Sequence, residues 1–381
     1  MASPITGGER EKLVSKLPAS LRQALKIRAA QLQTDVQDAV AAGIEAWRAG
    51  TDSLDVIDTA GAESFGTYLP EGLYDKFKQD CQARGVSYIQ GLAQAVALWL
   101  HENPADGEQT VRRLIVCNQK GGVGKTAVSA GLAQALAEAG DRVLLIDYDP
   151  QGHLSHQLGL KAIPAGEESL ITHMLHREQV KESLLSLTVG IEGERFGGRL
   201  RILPAAFDAF LLDSGLTVFR GPRHAALERA LASVESDFDV IVIDSPPSLG
   251  LAMDAGLHYA RRRDGERPGA SGLVIPVEAE DTSAQAYGML IQQIDSLSGD
   301  FDIEIEQLGL VINKFDSRRG YIATSSRDKW VALGKPPVLT VVPDLKEQRE
   351  AVRVQRPLLD YAPDCEQSLR LRELARELKK S

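Results

Sequence analysis

The sequence predicts an α/β fold, an open and mostly parallel sheet with helices on both faces, preceded by a small α+β or mainly helical N-terminal domain. Three observations carry this expectation. The apolar segment Leu114–Asn118 runs into a glycine-rich turn, and a helical pattern follows through Leu132, Leu136 and Ala139 to Gly140. Further short apolar segments alternate with helical stretches along the rest of the chain, the pattern of repeated βα units. Upstream, two segments resemble each other at an offset of 52 residues (Leu17 to Leu69), which marks a repeated structural unit.

Composition bounds the function. Hydrophobic residues make up 43% of the 381 positions and aromatics only 5%, so the core rests on aliphatic side chains. A net charge of -10 argues against nucleic-acid binding by the whole surface but leaves local basic patches open. Such clusters occur over residues 9–28 and from Lys346 onward. Cys81, Cys117 and Cys365 lack the spacing of a zinc site, an iron–sulfur cluster or a disulfide framework. With no long apolar run and no signal-peptide pattern, a cytoplasmic location is expected.

The N-terminal domain is expected over residues 1–105, with copies at about 10–50 and 62–102. In the first copy Leu13, Ser15 and Leu17 alternate with Lys12, Val14 and Lys16, the period of a strand. Pro18 suits a helix start, because its missing N–H would be unpaired there anyway. Val36, Val40, Ile44 and Trp47 fall on one face of a second helix, with Asp35 as a plausible cap. Ser87 caps the equivalent helix of the second copy. This strand–helix–helix order resembles the ribbon-helix-helix DNA-binding unit, whose paired strands form an antiparallel ribbon in the major groove. The resemblance implies that the two copies pair within one chain, since about 35 residues alone hardly bury a core. Lys12 and Lys16 are then DNA-binding candidates on the outer face, with Ser64 and Tyr68 at the matching places. A helical dimerisation or partner-docking module with solvated lysines is the alternative. Connectors at 48–63 and 101–110 place the main domain at 111–381.

Gln119-Lys-Gly-Gly-Val-Gly-Lys-Thr126, between a strand and a helix, has the context of a phosphate-binding loop. The backbone of Gly121, Gly122, Val123 and Gly124 can turn N–H groups onto phosphate, and the helix N-terminus adds its dipole. Lys125 is expected to reach the β/γ-phosphates, Thr126 to bind Mg²⁺, and Ala127 to follow in the cradle. Lys120 precedes the glycines, where an ordinary loop needs no cation. In a monomer its side chain would be a solvated lysine or a local clamp, whereas in a face-to-face dimer it can cross to the partner's phosphates, as an arginine finger does.

The next strand, Arg142–Ile146, leads into Asp147-Tyr-Asp-Pro-Gln-Gly152. Carboxylates at a strand's C-terminal end lie where open α/β folds keep their sites. Asp149 is the candidate for orienting or activating the attacking water, and Asp147 for supporting the metal and its loop. Phe238–Ile243 ends in Asp244-Ser-Pro-Pro-Ser-Leu-Gly250, which makes Asp244 the Walker B candidate on Mg²⁺. Further strands are expected at 271–277, 308–313 and 338–342. ATP is the expected nucleotide, with Asn313 and the backbone near Pro343 lining its base pocket. Asn313-Lys-Phe-Asp316 keeps GTP as the alternative.

Together, Asn118–Thr126, Val143–Gly152, Asp239–Gly250 and the looser Val341-Val-Pro343 resemble the ParA/MinD class of deviant Walker A ATPases, most closely ParA partition proteins. The resemblance spans roughly 112–378. It implies a homodimer that closes on ATP and binds non-specific DNA near its C-terminus, with Arg349, Arg353 and Arg356 as candidates. It also implies a ParB-type centromere-binding partner that triggers hydrolysis, and a nucleoid-associated location. Ala127, Tyr148 and His153 depart from the family pattern without removing a hydrolytic group. A MinD-like ATPase at a membrane is one alternative, although the stripe Leu371, Leu374, Ala375 and Leu378 reads as a core-packing face. A nucleotide-switched repressor is the other.

Overall fold

The computed structural model describes residues 10–32, 34–50, 57, 59, 61–103, 111–248 and 250–380. Alternation of apolar and polar residues makes two strands, β1 (Arg10–Leu17) and β2 (Glu63–Pro70). They pair antiparallel over their whole length, from Arg10 opposite Pro70 to Leu17 opposite Glu63. Leu13, Leu17, Phe65 and Leu69 face inward, while Lys12, Val14, Lys16, Ser64, Gly66 and Tyr68 are exposed.

Four helices cover the dry face of this ribbon: α1 (Ala19–Gln31), α2 (Val36–Ala49), α3 (Leu73–Ala83) and α4 (Tyr88–Glu102). One apolar cluster joins Leu25, Val40, Ile44 and Trp47 of the first copy to Phe77, Leu92, Val96 and Trp99 of the second. Trp47 donates its indole N–H to Gln94 Oε1 at 3.1 Å, so its buried polar atom is satisfied. Helices α2 and α4 approach closely at Gly43, where a Cβ would lie 2.5 Å from the Ala95 carbonyl oxygen. Ser87 caps α4 by accepting from the Gln90 N–H at 3.1 Å. Asp35 holds the N-cap position of α2, but its side chain makes no capping bond. Its backbone carbonyl accepts from Asp38 and Ala39, so the main chain starts this helix. Pro18 likewise precedes the first helical residue and does not occupy it.

The chain divides into two compact units, Met1–Gln109 and Thr110–Ser381. The second is built on an eight-stranded sheet. Its strands are β3 (Arg112–Val116), β4 (Val143–Asp147), β5 (Val189–Gly190), β6 (Leu200–Leu203), β7 (Val240–Asp244), β8 (Gly272–Glu278), β9 (Gln307–Phe315) and β10 (Val338–Pro343). Their order is β10-β9-β8-β3-β7-β4-β6-β5. All neighbours run parallel except the short edge strand β5, which is antiparallel to β6. This is a mostly parallel sheet flanked by helices, behind a small α+β region, the expected class.

Successive residues of the central strands divide between two apolar clusters. Ile115, Leu144 and Ile146 enter one, and Leu114, Val116, Val143 and Leu145 enter the other. Such near-continuous apolar strands mark a sheet covered on both faces. Helix α5 (Lys125–Glu138) covers the second face together with the C-terminal helix, Glu366–Lys380. Leu371, Leu374, Ala375 and Leu378 are buried there, as a core-packing stripe requires. Gly131 of α5 admits Leu371, whose side chain would meet an added Cβ at 2.3 Å. No helix among the described residues is long and apolar enough to cross a membrane.

Candidate functional site

Because β3, β7 and β4 are neighbours, the loops at their C-terminal ends converge. Strand pairing sets Val116 opposite Asp244 and Asp244 opposite Asp147. The glycine-rich loop leaves β3 and enters α5 with Gly122 at φ +81° and Gly124 at φ +88°, a conformation costly to side-chain-bearing residues. Gly124 also admits Asn313, whose amide nitrogen would lie 2.1 Å from an added Cβ.

Lys125 is buried, and its Nζ donates to the Lys120 carbonyl oxygen at 3.4 Å. Burial lowers its pKa, opposed by the charges of Asp244 and Asp149. Asp244 lies deepest. Its Oδ1 accepts from Ser129 Oγ at 2.9 Å, and its buried Oδ2 has no hydrogen-bond partner among the described residues. Burial pushes the Asp244 carboxyl up to about 8, with Asp147 adding repulsion, while bonds from Thr126 and Ser129 oppose the rise. Asp147 Oδ2 accepts from both the N–H and the hydroxyl of Ser155 at 2.7 Å each, and its Oδ1 is also an orphan. Burial raises this carboxyl to about 6. Asp149 is nearly buried and accepts from the Gln151 N–H at 2.9 Å, which fixes it in the turn before Gly152.

A threonine hydroxyl and two carboxylates with unpartnered oxygens, at the foot of a phosphate-shaped loop, suit a hard divalent cation. Among the described residues, no group of three or more His, Cys, Asp or Glu could hold a metal unaided. Mg²⁺ fits that arrangement, because it keeps several waters and shares phosphate oxygens with one or two carboxylates.

The raised Asp244 pKa has a consequence for stability. Between pH about 4 and 8 the folded carboxyl keeps a proton that the unfolded chain has released. Stability of the nucleotide-free protein therefore falls as pH rises through this window. Asp244→Asn removes the titration. We expect urea denaturation of the variant to show a flatter pH profile than wild type between pH 5 and 8; parallel profiles would contradict the assignment.

Lys120 does not lie over its own loop's cradle. Its Nζ donates to Glu278 Oε2 at 2.8 Å, Glu280 Oε2 at 3.3 Å and Ser283 Oγ at 3.3 Å. Burial works against its charge, but the two glutamates outweigh it and raise its pKa. Two further side chains brace the loop from the end of β9. Asn313 Nδ2 donates to the Val123 carbonyl at 2.8 Å, and Lys314 Nζ bonds the Gly122 carbonyl. A cavity of about 250 Å³ opens beside them, lined by Ala127, Asn313, Val342, Leu345 and Leu371 among others. Pro343 is not in that lining; its carbonyl accepts from Gln367 at 3.0 Å, while its neighbours Val342 and Asp344 face the cavity.

The structure thus brings Gly121–Ala127, Asp147, Asp149, Asp244 and Asn313 together, with Lys120 at the margin. Arg349 stands on the cavity rim, paired with Asp344 at 2.9 Å. Arg349 and Arg353 lie on the helix Lys346–Arg353, where Arg353 is exposed, and Arg356 follows beyond its end, paired with Asp360 at 2.5 Å. Lys12 and Lys16 belong to the first unit. Exposed His153 opens a short helix, and buried Tyr148 donates to the Ala252 carbonyl at 3.2 Å. Sequence reasoning missed Ser129, Ser155, Glu278 and Lys314. Only Lys314 had a local signal, beside Asn313 at a strand end.

Residues 111–307, more than half of the chain, match the family model described as AAA domain. Chromosome-partitioning ATPase Soj of Thermus thermophilus is 29% identical over 269 residues, 70% of this chain and 95% of that protein. Chromosome partitioning protein ParA of Myxococcus xanthus is 31% identical over 213 residues, 56% of this chain and 68% of that protein. Among solved structures, cobyrinic acid a,c-diamide synthase from Mycobacterium smegmatis with bound ADP and magnesium matches at 29% identity. Its TM-score is 0.53, over 71% of this chain and 95% of that one. These matches, over the stretch that holds the glycine-rich loop and the strand-end aspartates, place the chain in the ParA/MinD/Soj family of P-loop ATPases.

Proposed function

We propose that this chain is a Mg²⁺-dependent ATPase that drives partition or positioning on DNA. The observation that carries the ATPase reading is Asp244, a buried carboxylate with one unpartnered oxygen beside Thr126 and Lys125. In this reading the loop N–H groups and Lys125 hold the phosphates, and Thr126, Asp147 and Asp244 seat Mg²⁺, directly or through water. The bound ion would neutralise charge on the β- and γ-phosphate oxygens. Asp149 orients the attacking water, and Asn313 with the backbone beside Pro343 borders the base.

The cycle follows from Lys120 and the arginines. ATP closes a sandwich homodimer in which Lys120 leaves its own glutamates for the partner's phosphates. The dimer binds non-specific DNA through Arg349, Arg353 and Arg356. A ParB-type centromere-binding protein stimulates hydrolysis and releases it, so the protein works in the cytoplasm on the nucleoid. Likeness to proteins named for chromosome partitioning supports this setting. Burial of Leu371, Leu374, Ala375 and Leu378 turns the apolar stripe of that helix into the core, with Leu369 its one exposed large apolar side chain, which weighs against the membrane alternative. For the N-terminal unit we propose a ribbon-helix-helix-like pair that reads specific DNA through the outer face bearing Lys12 and Lys16, as in repression of its own operon.

Retention on random-sequence DNA, measured against salt with ATP or ADP, tests the cycle. Retention should require ATP and weaken steeply with salt, and a joint Arg353→Ala and Arg356→Ala change should lower the salt slope by about two phosphates' worth. Equal retention with ADP would refute it.

A further inference from the structure

The two strands of the N-terminal ribbon are related by an approximate two-fold axis through the Val14–Gly66 pair. The axis carries each residue of β1 onto the residue 52 places later, so Lys12 matches Ser64, Val14 matches Gly66 and Lys16 matches Tyr68. Were the halves chemically equal, both strands would present lysines. They do not. The exposed face carries Lys12 and Lys16 from β1, with Arg10 at the strand's start tied to Asp38 at 2.7 Å, against two hydroxyls and a bare glycine from β2.

Across the ribbon, Lys12 stands opposite Tyr68 at one end and Lys16 opposite Ser64 at the other. Val14, 58% exposed, projects at the centre from one strand only. The flanks differ as well. Arg22 and Lys26 border an open groove of about 500 Å³ beside β2. Their matches in the second copy are Tyr74 and Lys78, and Lys78 lies over the Tyr74 ring at 3.8 Å.

The major groove of B-DNA admits a two-stranded ribbon, and each base pair shows it a distinct donor–acceptor pattern. Lysine donates to guanine O6 and N7, whereas serine and tyrosine hydroxyls both donate and accept. An apolar side chain prefers the thymine methyl, and glycine contributes nothing there. Equivalent positions on the two strands therefore favour different bases. The deep, narrow groove of A-form RNA would exclude it, so duplex DNA is the ligand class.

We propose that one copy of the N-terminal unit is a complete reader of a duplex DNA site that lacks dyad symmetry. The proposal rests on the DNA-reading role given above to this ribbon. Symmetric recognition is the expectation for a ribbon made by two identical chains. Here one chain supplies both strands, and the side chains on them have diverged where bases would be touched.

Selection of the full-length, nucleotide-free protein against a random duplex pool at physiological salt tests it, because ATP-dependent binding is then silent. One enriched motif without dyad symmetry is expected. Lys12→Ala and Lys16→Ala should each weaken that motif about tenfold and relax different base positions from Tyr68→Ala. These side chains are exposed, so an unchanged melting transition checks that each variant folds. The double change Ser64→Lys with Tyr68→Lys makes the strands alike and should shift selection towards a palindrome. A palindromic motif from the native protein would overturn the proposal and leave the ribbon's DNA-reading role standing. No enrichment, or enrichment untouched by all three alanine variants, would overturn that role and the proposal together.

Discussion

Replacing Lys120 by alanine is expected to abolish ATP-dependent dimerisation and to lower turnover about a thousandfold, the scale of a charge supplied in trans to a transferring phosphoryl group. In the single chain its Nζ is held by Glu278 and Glu280, at positions only partly shielded from water. Removing it there does not strand Glu280, whose carboxylate is exposed to water. Glu278 also keeps Lys314 at 3.5 Å. The variant should therefore fold and bind ATP almost as wild type does, yet fail to pair in sedimentation or light scattering. Normal pairing with normal turnover would show that Lys120 only bridges its own glutamates.

The second large effect is expected at Asp149. It stands at the end of the β4 turn, nearly buried, close enough to Lys125, Asp147 and Asp244 to bias their charges. It has no second anchoring bond of the kind that ties Asp147 to Ser155. Asp149→Ala should lower turnover at least a hundredfold, in the range of a lost general base or water-orienting group. Nucleotide affinity should hold, since Lys125 and the loop backbone remain, and the ATP-loaded protein should stay on DNA. Turnover equal to wild type would remove Asp149 from the chemistry and leave it a turn-forming residue. A nucleotide-switched repressor would show the same DNA retention in both proteins.

Much of the fold was legible because its pattern is local. The apolar runs at β3, β4 and β7 end in Asn118, Asp147 and Asp244, and a strand's end followed by glycine or aspartate can be read without knowing its neighbours. Strands β5 and β6 escaped notice for the opposite reason. They hold two and four residues, and β5 is exposed on both positions, so no period forms. The N-terminal repeat was readable as a strand and two helices per copy, and pairing of its strands is a long-range consequence of their dry faces.

The site divides in the same way. The residues proposed to touch phosphate or metal cluster in short, chemically unusual strings. Those that hold them do not. Glu278 meets Lys120 across 158 residues of chain, and Ser129 meets Asp244 across 115. A serine inside an apolar helix announces no such bond; only the sheet order brings the two together. Arg113 shows how far this extends. It is the second residue of β3, fully buried, in a two-pronged bond to Glu266 at 2.7 Å that no local pattern foretells.

The joining of β1 and β2 in one polypeptide separates two assembly laws within the same molecule. A pair made by two chains dissolves on dilution, whereas tethered halves meet at an effective concentration set by their linker, in the millimolar range for short flexible ones. The ribbon therefore stays closed at a handful of copies per cell. The ATP-driven sandwich proposed for the second unit, by contrast, would form in proportion to the square of the monomer concentration. Lowering expression should thus silence pairing of the second unit long before it opens the first.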